Sequence, residues 1–240
     1  MKKEKELDNI FDLTQWGHLD DYYSKFCIDY VSPKIKGGHV LEMSTSIYSS
    51  IELAKCADTL VVIDGSMKKI DLLDEQEIPN VEAIHCLFEQ YCSLRDFDTI
   101  CMFHALEHVE DSIEVLKSVH NWLNESGTFY VSVPNAQSMH RRLGVFLGLS
   151  ESVYSFSKSD YDKGHKRIYD LGSLTKELQQ CGFDIIETRG SFVKVLPDEA
   201  LVSSNVFGPR ILAGLFEISK DVPPDLCAEL ILTCRKSKYV

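Results

Sequence analysis

A doubly wound α/β domain, a parallel sheet with helices on both faces, is the fold class this sequence predicts, and three observations carry the prediction. Strand and helix signals alternate four times within the first 135 residues, the pattern that right-handed crossovers produce. The chain has 240 residues, 44% of them hydrophobic, enough to bury the core of one large domain. No internal repeat or low-complexity tract competes with that alternation.

Each element follows from a local pattern. Residues 19 to 32 place apolar or aromatic side chains at 19, 22, 23, 26, 27, 30 and 31, the spacing of a helix with one buried face, which Pro33 and Gly37–Gly38 end. "HVLEM" (39 to 43) is a short buried strand, the serine-rich "STSIYSS" leads into a helix at 50 to 57, and "TLVVID" (59 to 64) is a second strand stopped by Gly65. Ser66 caps the next helix. "VEAIHC" and "FDTICMF" are strands three and four. "EDSIEVLKSVHNWL" is a helix with Ile113, Leu116, Val119 or His120, and Leu123 on one stripe and acids at its positive end. "NESG" is a turn before strand five, "TFYVSV", which Pro134 halts. Residues 136 to 169 break the rhythm with basic and polar sequence and are expected to cover the site as a lid. Then come a helix ("LGSLTKELQQCGF"), one strand or two ("DIIETRGSFVKVL"), a poorly patterned stretch at 197 to 224, and a last strand, "CAELILTC", expected to close the sheet as a hairpin.

Composition narrows the partners. Thirty-seven acidic residues against 25 basic give a formal charge of -12, which disfavours phosphate-backbone binding, so a small molecule rather than nucleic acid is the expected partner. The eight cysteines never form CxxC and sit mostly in apolar runs, as buried thiols do in a reducing cytosol. The N-terminus has no apolar core of a signal sequence, and no run approaches 18 apolar residues; a soluble cytoplasmic protein without a membrane span is expected, as a monomer or homodimer.

Ligands of open parallel sheets bind beyond the C-terminal strand ends. Here those ends are Glu42 to Ser46, Asp64 to Ser66, His85 to Glu89, Phe103 to Ala105, and Pro134 to Asn135. Asp64 ends strand two and can accept hydrogen bonds from both hydroxyls of a ribose; the plain alternative is that Asp64–Gly65 is only a turn. His104 and His108 are four apart, yet "HALEH" is not HExxH and shows no third ligand, so no metal is expected.

"HVLEM", "LVVIDGS", "FDTICMFHALEHVED", "WLNESGTFYVSVPN" and "GHKRIYDLGSLTKELQQCGF" together resemble class I S-adenosylmethionine-dependent methyltransferases, within the UbiE/UbiG-like group of small-molecule methyltransferases, over residues 37 to 190. The resemblance implies a Rossmann-like seven-stranded sheet whose last strand is antiparallel, with an N-terminal helical cap (1–36) before a methyltransferase domain (37–240). S-adenosylmethionine is the implied cofactor. Glu42 and Ser44 would line its methionine end and Asp64 its ribose, with Gly65 and Ser66 at the same strand end. Leu87 and Phe88 would border the adenine, and Phe103 and His104 would lie beside the cofactor. Tyr22, with Trp16, Tyr23 and Phe26, would cover the cofactor or pack in the core. The family's first loop reads acid–x–Gly–x–Gly–x–Gly, whereas these positions hold Glu42, Ser44, Ser46 and Tyr48. The small serines 44 and 46 can admit the ligand; Tyr48 must take another path.

Methyl transfer is an in-line displacement, so an alcohol acceptor needs a base and a neutral amine does not. His104, His140 and His165 are the candidate bases, with His104 and His165 foremost; as lone histidines each has structural packing as its alternative. Arg141, Arg142, Lys166 and Arg167, with His140, would grip an anionic substrate group or else form solvated surface. The expected function is O- or N-methylation of a small molecule or biosynthetic intermediate. A methyltransferase-like scaffold that has lost its cofactor is the rival, supported by the missing glycines. A nicotinamide dehydrogenase fails for want of GxGxxG.

Overall fold

The computed structural model describes residues 19–203 and 209–238. Helix α1 (Leu19–Val31) precedes β1 (His39–Met43), α2 (Ile47–Ala54), β2 (Thr59–Asp64), α3 (Met67–Asp74), β3 (Val81–His85), β4 (Phe97–Phe103), α4 (Ser112–Trp122) and β5 (Leu123–Pro134). The lid carries α5 (Met139–Phe146) and α6 (Lys158–Asp162). Then follow α7 (Leu171–Gln180), β6 (Phe183–Ser191), α8 (Asp198–Ser203), α9 (Pro209–Ile218) and β7 (Glu229–Lys236). Among the described residues the strands form one seven-stranded sheet, ordered β3-β2-β1-β4-β5-β7-β6, with β7 antiparallel to both neighbours as the resemblance implies.

Alternation along the central strands sends side chains into two cores. Leu41, Met43, Val61 and Ile63 face one side, where Val115, Leu116 and Val119 of α4 and Leu174 and Leu178 of α7 cover them. Val40, Leu60 and Val62 face the other, under Cys27, Ile28 and Val31 of α1 and Leu53 of α2. A third cluster joins the top of α1 to α8 and α9, with Phe216 stacked between Phe26 and Phe192. At Gly38, φ +82, an added Cβ would lie 2.5 Å from Asp98 Oδ2, and that same oxygen accepts the His39 amide at 2.8 Å. Glycine is therefore required where the chain enters β1.

Three details differ from the pattern reading. "NESG" does not precede β5 but bulges within it: Phe97 pairs Leu123 and Thr99 pairs Thr128, so four residues stand opposite one. Asn124 Nδ2 bonding Asp98 Oδ1 at 2.6 Å closes that bulge. The buried stripe of α4 runs through Val115, Leu116, Val119 and Trp122, with Ile113 only half-buried. No tight hairpin joins β6 to β7, because α8 and α9 lie between these adjacent strands.

Candidate active site

The first loop, Ser44 to Tyr48, contains no glycine. Ser44 has φ +73, the left-handed conformation that favours glycine, and its amide bonds Ile63 O at 3.0 Å. Ser46 caps α2 in extended conformation, in a reciprocal bond with Ser49. Glu42 lies fully buried beneath the loop, where its carboxylate accepts the Ser49 hydroxyl and, at 2.5 Å, the Ser50 hydroxyl. Burial pushes its pKa up to about 7 against the pull of those two bonds. Glu42 thus shapes the loop from below. Tyr48 turns onto α1: its hydroxyl accepts from Lys25 Nζ at 3.0 Å and donates to Asp29 at 3.3 Å, with the ammonium also over its ring.

Asp64 ties the two strand ends together. Its carboxylate accepts the Thr45 amide at 3.0 Å, the Ser66 amide at 2.8 Å and Lys69 Nζ at 3.2 Å. Leu87, 53% exposed, packs so close to Gly65 that a Cβ there would meet it at 3.1 Å. An uncovered apolar side chain beside a strand-end carboxylate is what a nucleoside's base and sugar would occupy. Phe88, by contrast, packs onto the core. Tyr22 belongs to α1, but its side chain lies outside the described residues, as does all of Trp16.

Beyond the end of β4 the chain gathers a buried polar cluster. Phe103 is buried, and His104 takes φ +50 while its amide bonds Ser132 O at 3.1 Å. His104 Nε2 lies 2.6 Å from Glu229 Oε2, and its ring packs 6.0 Å from that of Tyr23. Burial opposes protonation of His104, but the Glu229 charge and contacts with Cys27 hold its pKa well above the usual histidine range. Tyr23 donates to Asp198 Oδ1 at 3.0 Å, and the buried Lys194 pairs with the same oxygen at 2.6 Å. His140 feels Lys194 and Asp198, and burial together with the Lys194 charge brings its pKa down to about 3. The structure thus brings His104 and His140 to one polar region. Glu229, Tyr23, Asp198 and Lys194 are the members that the sequence reading passed over.

Each of the lid cations makes bonds within the protein. Arg141 bonds Val153 O, Ser155 O and Asp160 Oδ2 at 3.1, 3.0 and 2.7 Å, and Arg142 Nε bonds Gln137 O at 2.6 Å. Lys166 pairs with Glu110, while Arg167 reaches the Leu106 and Glu110 carbonyls, each at 2.8 Å. These contacts fasten the lid to the loop after β4. His165 is 8% exposed and its Nδ1 lies 3.0 Å from Asp160 Oδ1, so it has no open path to an acceptor.

Comparisons with known proteins agree with this geometry. A family model described as a methyltransferase domain matches residues 16–188. No curated protein matches the sequence. Among solved structures, an S-adenosylmethionine-dependent methyltransferase from Mesorhizobium loti superposes with TM-score 0.63 at 15% identity, over 90% of this chain and 99% of that one. One from Clostridium acetobutylicum gives 0.61 at 13% identity, over 98% and 99%. A complex titled DhpI-SAM-HEP gives 0.59 at 18% identity, over 97% and 96%. With the family model spanning most of its length, and the fold that the strand order shows, this chain belongs to the methyltransferase-domain family of class I methyltransferases.

Proposed function

We propose that the chain transfers a methyl group from S-adenosylmethionine to an oxygen or nitrogen of a small-molecule acceptor. The observation that carries this reading is that a carboxylate corner at the end of β2 and a buried polar cluster at the end of β4 share the C-terminal edge of the parallel strands, with β1 between them. Asp64, Ser66 and exposed Leu87 form the first; His104, Glu229, Tyr23 and Asp198 form the second. The solved neighbours whose titles name S-adenosylmethionine support the choice of cofactor. Ser44 at φ +73 supports retention of the cofactor loop against the scaffold reading, because the loop keeps a glycine's backbone geometry with a side chain small enough to leave room.

The chain's residues then have distinct tasks. Asp64 accepts the ribose hydroxyls, and Leu87 covers one face of the adenine. The loop from Ser44 to Ser46 lies at the methionine end, and Tyr22, carried by α1, would close over it. When bound, the cofactor supplies an activated methyl on a positive sulfur, and the protein's part is to align the acceptor with it and exclude water. His104 is the acceptor-side base. It is held as imidazolium at neutral pH by the Glu229 charge, so it takes a proton only once it is itself neutral, and turnover of an alcohol acceptor rises toward alkaline pH. An amine that arrives neutral escapes this requirement. His140, half-buried and held neutral by that burial and by the Lys194 charge, lines the acceptor side.

His104→Ala tests the reading. Turnover falls while S-adenosylmethionine affinity stays nearly intact; unchanged turnover removes His104 as the base.

A further inference from the structure

The loop after β4 and the lid bring together a second cluster. Glu107, His108 and His165 each present one ligating atom, and the three atoms lie within 4.8 Å of one another. His108 Nε2 is 3.9 Å from Glu107 Oε1, and the two imidazole rings meet edge to face with centroids 4.8 Å apart. Each histidine is already oriented by an outer partner. His165 Nδ1 is engaged by Asp160 Oδ1 at 3.0 Å, which leaves Nε2 available, and the His108 ring bonds the Gly164 carbonyl. Asp160 is fixed in turn by Arg141 at 2.7 Å and by the Ser157 amide and hydroxyl at 2.7 Å each. A carboxylate or carbonyl behind each imidazole is the arrangement that presets histidines for a metal.

Two further observations point to a ligand. Glu107 is 2% exposed, yet its Oε2 has no hydrogen-bond partner among the described residues, a costly state for a buried carboxylate. Beside Glu107 and His165, though not lined by His108, lies a cavity of about 10 Å³, also lined by Asp160, Arg141, Arg167 and Tyr169, which is room for one water.

We propose that Glu107, His108 and His165 bind a zinc ion, with a water as fourth ligand, and that the ion clasps the lid to the exit of β4. Two neutral imidazoles and one carboxylate suit zinc better than the oxygen-seeking magnesium or calcium. In a tetrahedral site with bonds of about 2.0–2.1 Å the ligand atoms stand roughly 3.3 Å apart, so the ligand atoms, 3.9 Å apart for His108 and Glu107 and within 4.8 Å throughout, draw together on binding. His108 and His165 are 57 residues apart, with the whole of β5 and most of the lid between them, so one ion closes a long loop. None of its ligands touches the Asp64 corner, but Glu107 Oε1 lies 4.0 Å from His104 Nδ1, so the test reads metal binding and not turnover.

The test uses the full chain purified without affinity metals, stripped with a chelator and titrated with cobalt(II) as a spectroscopic stand-in and with zinc itself. The proposal requires one tight equivalent of either ion, the visible absorption of four-coordinate cobalt, and a melting temperature that zinc raises and chelator lowers. Asp160→Asn should weaken affinity about 10–100-fold. His165→Cys keeps a ligand and should add a thiolate-to-cobalt charge-transfer band, which keeps the test valid where alanine variants fail to fold. Folded protein with no cobalt absorption, or tight binding that survives His108→Ala with His165→Ala, overturns the proposal. A parallel S-adenosylmethionine titration reports on the other site alone.

Discussion

The two halves of the crevice are built on opposite plans. On the cofactor side the bonds are comparatively local, none spanning more than 19 residues: Ser46 to Ser49, Glu42 to Ser49 and Ser50, Asp64 to Thr45, Ser66 and Lys69. On the acceptor side the partners come from distant segments. Tyr23 of α1 bonds Asp198 of α8, and His104 after β4 faces Glu229 at the start of β7. The first half is a local cradle and the second an assembled one, in which His104 Nε2 and Glu229 Oε2 face each other at 2.6 Å and His140 Nδ1 has no hydrogen-bond partner among the described residues. Local networks hold a ligand common to a whole fold; non-local ones are free to specialise toward an acceptor.

Substitutions on the two sides should therefore separate. The largest effect is expected on the acceptor side, where His104→Ala lowers turnover of an alcohol acceptor by about 10²–10⁴-fold with cofactor affinity unchanged. Glu229→Gln sharpens the point through its sign. The Glu229 charge raises the His104 pKa, so removing it moves the rising limb of the pH–rate profile to lower pH; a limb that stays put detaches Glu229 from His104. On the cofactor side Glu42→Gln should change stability instead. With a folded pKa of about 7 against 4.5 unfolded, folded Glu42 binds more protons between those values, so wild-type stability falls as pH rises from about 4.5 to 7. The glutamine variant removes that slope, by at most about 3 kcal/mol, in denaturant melts at pH 5 and pH 8. Asp64→Ala should weaken S-adenosylmethionine about 10–100-fold by calorimetry, the loss of charge-assisted bonds to two hydroxyls. The smallest change belongs to Tyr48→Phe, whose half-exposed contacts with Lys25 and Asp29 are worth under about 1 kcal/mol; a large loss of cofactor binding there would break the division between the halves.

The same division explains what could be read in the sequence. β1, β2 and β4 and the Ser66 cap fall where the apolar runs and the N-cap residue put them, because those signals are local. Asp64 was legible because a strand end fixes its place. Glu229 was not, although it is the first residue of β7. Only the antiparallel run of β7 puts that residue at the edge where β5 and β6 end, opposite Pro134 and Ser191. Asn135 locks the register, its side chain bonding the Asp225 and Cys227 carbonyls at 3.0 and 2.9 Å and its amide the Ala228 carbonyl at 2.8 Å. Nor could the spacing of Arg141 and Arg167 reveal that their guanidiniums serve backbone carbonyls, since those acceptors lie 12 to 61 residues away. In "HALEH" the pair that stood out was His104 and His108. The fold instead sends His104 to Glu229 and joins His108 to His165.

The central claim is that a loop with serine in place of glycine still cradles an adenosyl sulfonium above Asp64. Calorimetric titration of the purified chain with S-adenosylmethionine and with its demethylated product tests it most directly. Clear saturable binding of both is the predicted result, and absence of heat from either at millimolar concentration would contradict it.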